Sequence, residues 1–409
     1  MEYNLDLHLH GLYSGAVSHE MRPRIIAEQA LLKGLQGVGT GDILNPKWEK
    51  IFREETRLVR DEYFEYNNVR FILQTEVEDN SRVHHVILFP SLAQVEEARK
   101  RLKGKTTSLE SDGRPKLWLN TAEVADLFLE LGCMIGPAHA FTPYTGYYSK
   151  YDSLEQGYKD NWRKLSFLEL GLSADTDMAD MIKELHNLSF LSNSDAHSPW
   201  PNKLGREFNT LKIEEISFEE LRKAFHRMGG RKITRNIGLD PREGKYHKTR
   251  CRNCYTFYEP EEAEQFNWRC PLCGGAIKKG VDHRIKELAD LPKGEHPEHR
   301  PRYIHIIPLS EIISLALKKK NPYSKEVQET WKKIIEETGT EIKALLDTDL
   351  ETIRKINKRV AEYLEYFRKG EIQYIPGGAG MYGQLIPPGE KVEMKTYKSQ
   401  TAQKTLMDF

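Results

Sequence analysis

Asp6-Leu7-His8-Leu9-His10 sets two histidines two residues apart in a short apolar run near the start of the chain. On a strand, side chains alternate between faces, so both imidazoles point to one side and can hold one metal ion. By itself an H-x-H pattern fits surface histidines equally well, so the reading depends on what recurs further along. Asp42 follows Gly37-Val38-Gly39-Thr40-Gly41, Glu76 follows Phe71-Ile72-Leu73-Gln74-Thr75, and His139 follows Ile135-Gly136-Pro137-Ala138. Asp195 and His197 follow Phe190-Leu191-Ser192-Asn193-Ser194. Ligand-type residues at the end of one apolar run after another predict a single pocket, because parallel strands of a barrel converge at their carboxyl ends.

Amphipathic stretches at Leu92 to Leu102, Thr121 to Leu131 and Phe218 to Met228 lie between several of these runs. That alternation, from the N-terminus to about Asp240, predicts an α/β unit of parallel strands covered by helices. Imidazole and carboxylate ligands without cysteine suit Zn, Mn or Fe and argue against a purely structural zinc. A carboxylate such as Glu76 can bridge two ions, and ions about 4 Å apart clamp the attacking and leaving oxygens of a phosphoryl displacement. The chemistry implied is hydrolysis of a phosphate ester, with Glu76 and Asp195 as the carboxylates nearest the reaction.

At 409 residues the chain is long enough for two or three domains. Lys+Arg and Asp+Glu both number 61, so net charge does not announce a nucleic-acid binder and any basic surface is local. Met1-Glu2-Tyr3-Asn4-Leu5-Asp6 lacks the basic and apolar regions of a signal peptide. No apolar run approaches the ~18 residues of a membrane span, so a soluble, cytoplasmic protein is expected. Abundant Lys and Glu suit a thermophile.

Four of the five cysteines form Cys251-Arg252-Asn253-Cys254 and Cys270-Pro271-Leu272-Cys273, with fifteen residues between the pairs. This spacing predicts a closed four-thiolate zinc module over 245–282, with no coordination position left for catalysis. Arg250, Arg252, Arg269, Lys278 and Lys279 surround it, a cluster as compatible with phosphate contacts as with a solvated face. A Pro- and charge-rich stretch, Leu291 to Pro301, reads as an exposed connection. Beyond it, apolar residues at three- and four-residue spacing predict a mostly helical, DNA-binding region over 303–390. That region ends in a Gly-rich loop, Ile375-Pro376-Gly377-Gly378-Ala379-Gly380-Met381-Tyr382-Gly383, without the Lys-Ser/Thr of a P-loop. The polar segment 391–409 closes on Gln403-Lys404-Thr405-Leu406-Met407-Asp408-Phe409. It is similar to the sliding-clamp (PCNA) interaction motif, with Gln403, Leu406 and Phe409 as the docking residues.

Asp6 to His10, Glu76, the His in His84-His85-Val86-Ile87-Leu88, Ala138-His139 and Asp195-Ala196-His197 resemble the motifs of the PHP (polymerase and histidinol phosphatase) superfamily. The resemblance covers roughly the first 240 residues and implies a distorted, seven-stranded β/α barrel, a (β/α)7 barrel, commonly with three metals. Carried over, it gives His8, His10, Glu76 and Asp195 for one ion, Glu76, His85 and His139 for a second, and Asp42 with His197 for a third. Either His84 or His85 fits the motif; His85 is taken because it directly precedes the Val-Ile-Leu run. The acidic residue or His that the family often places shortly after the first motif is missing from Tyr13-Ser14-Gly15-Ala16.

The whole order, PHP-like unit, four-cysteine module and helical region, resembles the endonuclease Q family. That resemblance implies a DNA-repair endonuclease that nicks 5′ of deaminated bases (uracil, hypoxanthine, xanthine) and of abasic sites, with the damaged base leaving the stack. Asn193 and Ser173 are then candidates to read the base edge, and Arg206 to hold a backbone phosphate. Zinc is expected in the cysteine module and in the barrel site, with Mg²⁺ or Mn²⁺ as alternatives for activity. Damaged DNA and the sliding clamp PCNA are the expected partners, and an archaeal source fits the clamp-like segment. The alternative is a PHP phosphatase acting on a small phosphomonoester, which has no need of the accessory half.

Overall fold

Val38, Phe71, Ile87, Ile135, Leu168 and Phe190 are buried, and each sits in a strand of only three to five residues. Strands so short are stable only side by side and under cover, which is what the first 240 residues provide. The computed structural model describes residues 1–391 and 394–397. An eight-stranded sheet contains β1 (Glu2–Asp6), β2 (Gly37–Gly39), β3 (Arg57–Val59), β4 (Tyr63–Tyr66), β5 (Val69–Ile72), β11 (Phe208–Lys212), β12 (Lys232–Gly238) and β15 (Arg302–His305). Its order is β15-β12-β11-β1-β2-β5-β4-β3. A second sheet is β6 (Gln74–Glu78), β7 (His84–Leu88) and β8 (Met134–Pro137), and β9 (Phe167–Glu169) pairs with β10 (Ser189–Leu191).

Backbone bonds stitch these sheets together. Phe89 N donates to Leu73 O at 2.9 Å, Ser166 N to Ile135 O at 3.1 Å, Ala140 N to Glu169 O at 2.8 Å and His10 N to Ala196 O at 3.1 Å. The parallel arrangement expected from the sequence holds for β1-β2-β5 and for β9-β10, but β6-β7-β8 is antiparallel. Only residues 79–83 separate β6 from β7, too few for a crossover. Asp79 closes that turn by accepting from Ser81 N and Val83 N, both at 2.8 Å.

The cysteine module is built on a short pair, β13 (Arg250–Cys251) with β14 (Ile277–Lys278). The connection 291–301 is mostly exposed as expected, yet Arg300 turns inward, donating to Asp180 at 2.9 Å and lying over Phe190. The C-terminal region is mostly helical, with helices Leu309–Ala316, Lys325–Thr338, Glu341–Leu346, Leu350–Ile356 and Lys358–Arg368. They close on their own core, which includes Ile312, Trp331, Ile334, Leu345 and Leu364. A hairpin, β16 (Gln373–Ile375) with β17 (Gln384–Ile386), follows, and its Gly-rich loop packs on residues 242–248. Gly378 is required there, since a Cβ would lie 2.4 Å from Lys248 O. No helix among the described residues is long and apolar enough to cross a membrane. Gln403, Leu406 and Phe409 lie outside the described residues.

A buried ion pair helps to join the helical region to the first unit. Lys33 Nζ, fully buried, lies 2.7 Å from Glu341 Oε1 and donates to Pro201 O at 2.7 Å. Glu341 also accepts from Leu309 N and Trp331 Nε1. Breaking such a pair from one side strands a buried charge. Lys33→Met is therefore expected to cost about 3–5 kcal/mol. Adding Glu341→Leu recovers only part of the loss, because the Leu309 and Trp331 donors then lack their acceptor. Urea unfolding of the two variants against the parent chain checks both outcomes.

Candidate metal centre

Glu76, on the fully buried strand β6, stands between imidazoles from three directions. His84 Nδ1 lies 2.9 Å and His139 Nε2 3.0 Å from Oε1, and His10 Nε2 lies 3.3 Å from Oε2. His8 Nε2 is 3.8 Å from Oε1. Across the site, Asp195 Oδ1 is 3.1 Å from His10 Nε2, 3.9 Å from His8 Nε2 and 3.6 Å from His197 Nδ1. Three groups with mutually close ligand atoms result: His8, His10 and Glu76; His10, Asp195 and His197; Glu76, His84 and His139. Glu76 is common to two of them, as a bridging carboxylate must be.

Cations fit this donor set. Among the described residues, the buried His8 Nε2, His10 Nε2 and Asp195 Oδ1 have no hydrogen-bond partner. A buried polar atom so left costs about 1–3 kcal/mol, and a coordinated ion removes that cost for all three. Burial opposes ionisation of Glu76, yet His84 and Arg114 hold its carboxyl well below the usual range. Burial likewise opposes the Asp195 anion, and His10 and His8 keep it ionised well below the usual carboxylate range. Asp42, His139 and Asp195 all adopt positive φ (48°, 30° and 48°), a strained conformation typical of functional positions.

The imidazole nitrogens that face away from the centre are held by other carboxylates. His8 Nδ1 is 2.9 Å from Glu169 Oε2, and His10 Nδ1 is 3.2 Å from Asp42 Oδ1. A carboxylate behind a histidine fixes its tautomer and aims its other nitrogen. Burial works against charge on His8, but the carboxylates of Glu169, Glu76 and Asp195 together outweigh it and push the pKa up to about 9. Glu169 also accepts from Asn193 Nδ2 and from the backbone N–H of His139, which ties β9 to the ends of β8 and β10. Sequence reasoning missed Glu169 although a signal was there, since it too closes a short apolar strand. It also missed Arg114, which no periodicity marks.

Two sequence expectations need correction and a third is narrowed. His84, and not His85, joins Glu76 and His139. In the β6/β7 register His84 stands opposite Glu78 and His85 opposite Val77, so only His84 shares a face with Glu76. His85 is committed elsewhere, with Nε2 3.2 Å from Asp79 Oδ2 and Nδ1 2.8 Å from the Tyr158 hydroxyl. Asp42 does not pair with His197. It accepts from Gly11 N and Ser14 Oγ and backs His10, while His197 joins His10 and Asp195. Asn193 borders the cleft, but its Oδ1 accepts from Leu7 N and Asn209 Nδ2 and its Nδ2 donates to Glu169, so at most one amide N–H is left for a base edge.

A cleft opens above His84, His139, Asp195 and His197, with Arg82, Arg114, Lys203, Arg206 and Lys245 on its walls. Ser173 lies on the wall beside Gly244, and Tyr382 of the Gly-rich loop faces the same space. Arg206 is buried rather than a surface cation, and its Nε and Nη2 donate to Ser194 O at 3.1 and 3.0 Å. In the cysteine module the four sulfurs lie within 4.8 Å of one another, with Cys251–Cys273 and Cys254–Cys270 at 3.6 Å. Thiolates at about 2.3 Å from one tetrahedral zinc stand about 3.8 Å apart, so the cluster fits that ion. Tyr258 donates its hydroxyl to Cys270 Sγ at 2.9 Å. The basic cluster there is partly committed: Arg250 lies over Phe257 at 4.5 Å and Lys279 over Trp268 at 5.1 Å.

The opposite faces of β7 make the assignment of His84 testable. His84→Ala is expected to lower the metal bound per chain, measured by plasma emission on dialysed protein. His85→Ala is expected to leave that content unchanged and to lower the melting temperature, because it opens a buried network with Asp79 and Tyr158.

Comparison with known proteins extends this picture. Residues 308–371 match the MJ0043 C-terminal domain family. Over 260 residues the chain is 48% identical to the uncharacterized protein MJ0043 of Methanocaldococcus jannaschii, which covers 62% of this chain and 32% of that one. The chain thus spans about a third of that relative's length. The solved structure of PfuEndoQ, a lesion-specific endonuclease from Pyrococcus furiosus, is 51% identical with a TM-score of 0.90. The match covers 95% of this chain and 96% of that one. An endonuclease Q complex with a 27-mer duplex substrate carrying an abasic lesion at the active site is 50% identical, with a TM-score of 0.91 over 95% and 97% of the two chains. With half of its residues identical over nearly the full length of these structures, the chain belongs to the endonuclease Q family.

Proposed function

We propose that this chain is a metal-dependent endodeoxyribonuclease that hydrolyses the phosphodiester 5′ of deaminated bases, among them uracil, hypoxanthine and xanthine, and of abasic sites. The observation that carries this reading is the place of Glu76, a buried carboxylate common to two ligand groups beneath a cleft with basic walls. Strands β1, β2, β5 with its continuation β6, β7, β8, β9 and β10 make the distorted seven-stranded barrel of the PHP superfamily. His8, His10, Glu76 and Asp195 hold one ion and Glu76, His84 and His139 a second, with His197 extending the site toward a third. Zinc is the ion of the cysteine module and, with Mg²⁺ or Mn²⁺ as alternatives, of the barrel site. Bound ions supply an activated water and neutralise charge on the phosphoryl oxygens.

The residues of the chain do the rest. Glu169 and Asp42 keep His8 and His10 aimed at the centre. Arg206, Lys203 and Lys245 attract and seat backbone phosphates, so the basic surface is local although the chain is neutral overall. A flipped nucleotide, costing a few kcal/mol to unstack and least at a mispaired or missing base, enters between these walls, with Ser173 and Tyr382 beside it. The motif at Gln403, Leu406 and Phe409 docks the enzyme on the sliding clamp.

Labelled duplexes containing uracil, hypoxanthine, an abasic site or no lesion, incubated with Mg²⁺ or Mn²⁺, test the activity. Nicks 5′ of each lesion are expected. Asp195→Asn is expected to slow them about 10³-fold, the several kcal/mol of charge stabilisation that the ions supply. Intact lesion DNA together with rapid phosphate release from a sugar phosphate would replace this reading with a small-molecule phosphatase. For the clamp, the intact chain is expected to be retained by immobilised PCNA and Phe409→Ala is not; equal retention of both removes the docking claim.

A further inference from the structure

Arg114 reaches the metal centre from outside the strands that supply its ligands. It lies in the loop between helices Leu92–Arg101 and Thr121–Glu130. Both neighbours in sequence are anchored: Gly113 N donates to Tyr13 O at 3.0 Å, and Pro115 O accepts from Glu78 N at 3.1 Å. The N–H of Arg114 itself donates to Asp112 Oδ1 at 3.1 Å. At Gly113 a Cβ would lie 2.3 Å from Asp42 Oδ2, so the loop is pressed against the carboxylate that backs His10. The loop therefore sets Arg114 at a fixed place relative to the centre.

Arg114 Nη1 lies 3.0 Å from Glu76 Oε2, the oxygen that also faces His10 Nε2. Among the described residues, Arg114 is the one cation on the cleft wall that pairs with a carboxylate of the centre. A guanidinium carries five N–H donors. Apart from the bond to Glu76, its side chain donates to no described residue, and it remains 32% exposed to the cleft. Arg206, by contrast, spends its Nε and one Nη on the Ser194 carbonyl and pairs with no carboxylate of the centre. Arg114 instead holds unused donors that face the cleft beside Glu76.

We propose that Arg114 is a catalytic residue of the hydrolysis, donating from its cleft-facing N–H groups to a non-bridging oxygen of the scissile phosphate. The inference rests on the phosphodiesterase reading above. The new P–O bond forms to the oxygen of water as the old one breaks to the leaving oxygen, and the proton that the water gives up to solvent is balanced by the one that the leaving oxygen takes from it. Arg114 stays protonated throughout and transfers no proton. Its part is to stabilise the charge that builds on the non-bridging oxygens in the transition state, from a position already fixed by the loop.

Single-turnover nicking of an abasic-site duplex by the full chain, by Arg114→Gln and by Arg114→Lys tests this. Arg114→Gln is expected to slow the chemical step about 10²–10³-fold. Metal content per chain and the Kd for the duplex should stay within about threefold of the parent, since the loss falls on the transition state. Arg114→Lys is expected to regain about tenfold, keeping the charge and losing the fork. One phosphorothioate diastereomer at the scissile position should slow the parent chain more than the other, and that difference should shrink in Arg114→Gln. Nicking by Arg114→Gln at the parent rate overturns the inference alone. So does a fall in metal content that tracks the fall in rate, which makes Arg114 a support for Glu76. If the parent chain leaves every lesion duplex intact, the functional reading falls and the inference with it.

Discussion

A carboxylate with no solvent exposure must be answered by charge on every side, and Glu76 sets that demand at the middle of the fold. His10, His84, His139 and the Arg114 guanidinium meet it within 3.3 Å. Each of these groups belongs to a different segment, so satisfying Glu76 brings together β1, β7, the end of β8 and the loop before Thr121. The demand then passes outward. His8 and His10 need their far nitrogens fixed, Glu169 and Asp42 do this, and Glu169 in turn takes donors from Asn193 and from the backbone of His139. A half-satisfied polar network in a core is worse than an apolar one. The strands around Glu76 are therefore held to one arrangement by polar pairing as much as by apolar packing.

What could be read from sequence follows from which constraints are local. An H-x-H pair, or an acid at the end of an apolar run, needs only strand periodicity to be placed, and His8, His10, Glu76, His139 and Asp195 all came together on that basis. The four cysteines were legible for a similar reason, since their spacing fixes two knuckles that meet. The choice between His84 and His85 depended on which face of β7 meets Glu76, and that is set by its register with β6. A ligand that follows the end of a parallel strand becomes, in an antiparallel one, a residue at its beginning, and β7 runs antiparallel to both neighbours. The role of Asp42 was hidden for another reason: whether a carboxylate meets an ion or the back of a histidine is a matter of a few ångströms and an angle. Arg114 arrives on a loop between helices, where no apolar period places a side chain, so nothing short of the fold could locate it.

The accessory regions are attached by polar contacts as well. The Lys33–Glu341 pair is fully desolvated, and a buried pair of this kind adds little net stability compared with apolar packing. Its effect is to penalise any other placement of the helical region, because sliding the surfaces would leave a charge buried and alone. The Gly-rich loop is seated by a related logic. Gly377 and Gly383 donate to Arg242 O and Glu243 O, and Lys248 N donates to Gly377 O, a close backbone approach that leaves no room for side chains. The Gly-rich loop is thus a structural turn, and its Tyr382 also faces the cleft.

That last contact bears on why the site is built from several parts. His139 and Asp195 come from the N-terminal α/β unit, whereas Lys245, Tyr246 and Tyr382 come from the segment entering the cysteine module and from the C-terminal hairpin, and all of them border one cleft. A phosphomonoester of a few heavy atoms would be enclosed by the loops of the N-terminal unit alone. Recruiting walls from two further regions widens the surface presented to substrate and adds Lys245 to the cations Arg82, Lys203 and Arg206 of the first unit. Cations placed there gain nothing from a small ester and gain one counterion release per phosphate from a nucleic-acid strand. A cleft walled by three regions of the chain and lined with several cations is therefore itself an argument for a long substrate, independent of any likeness to a known protein.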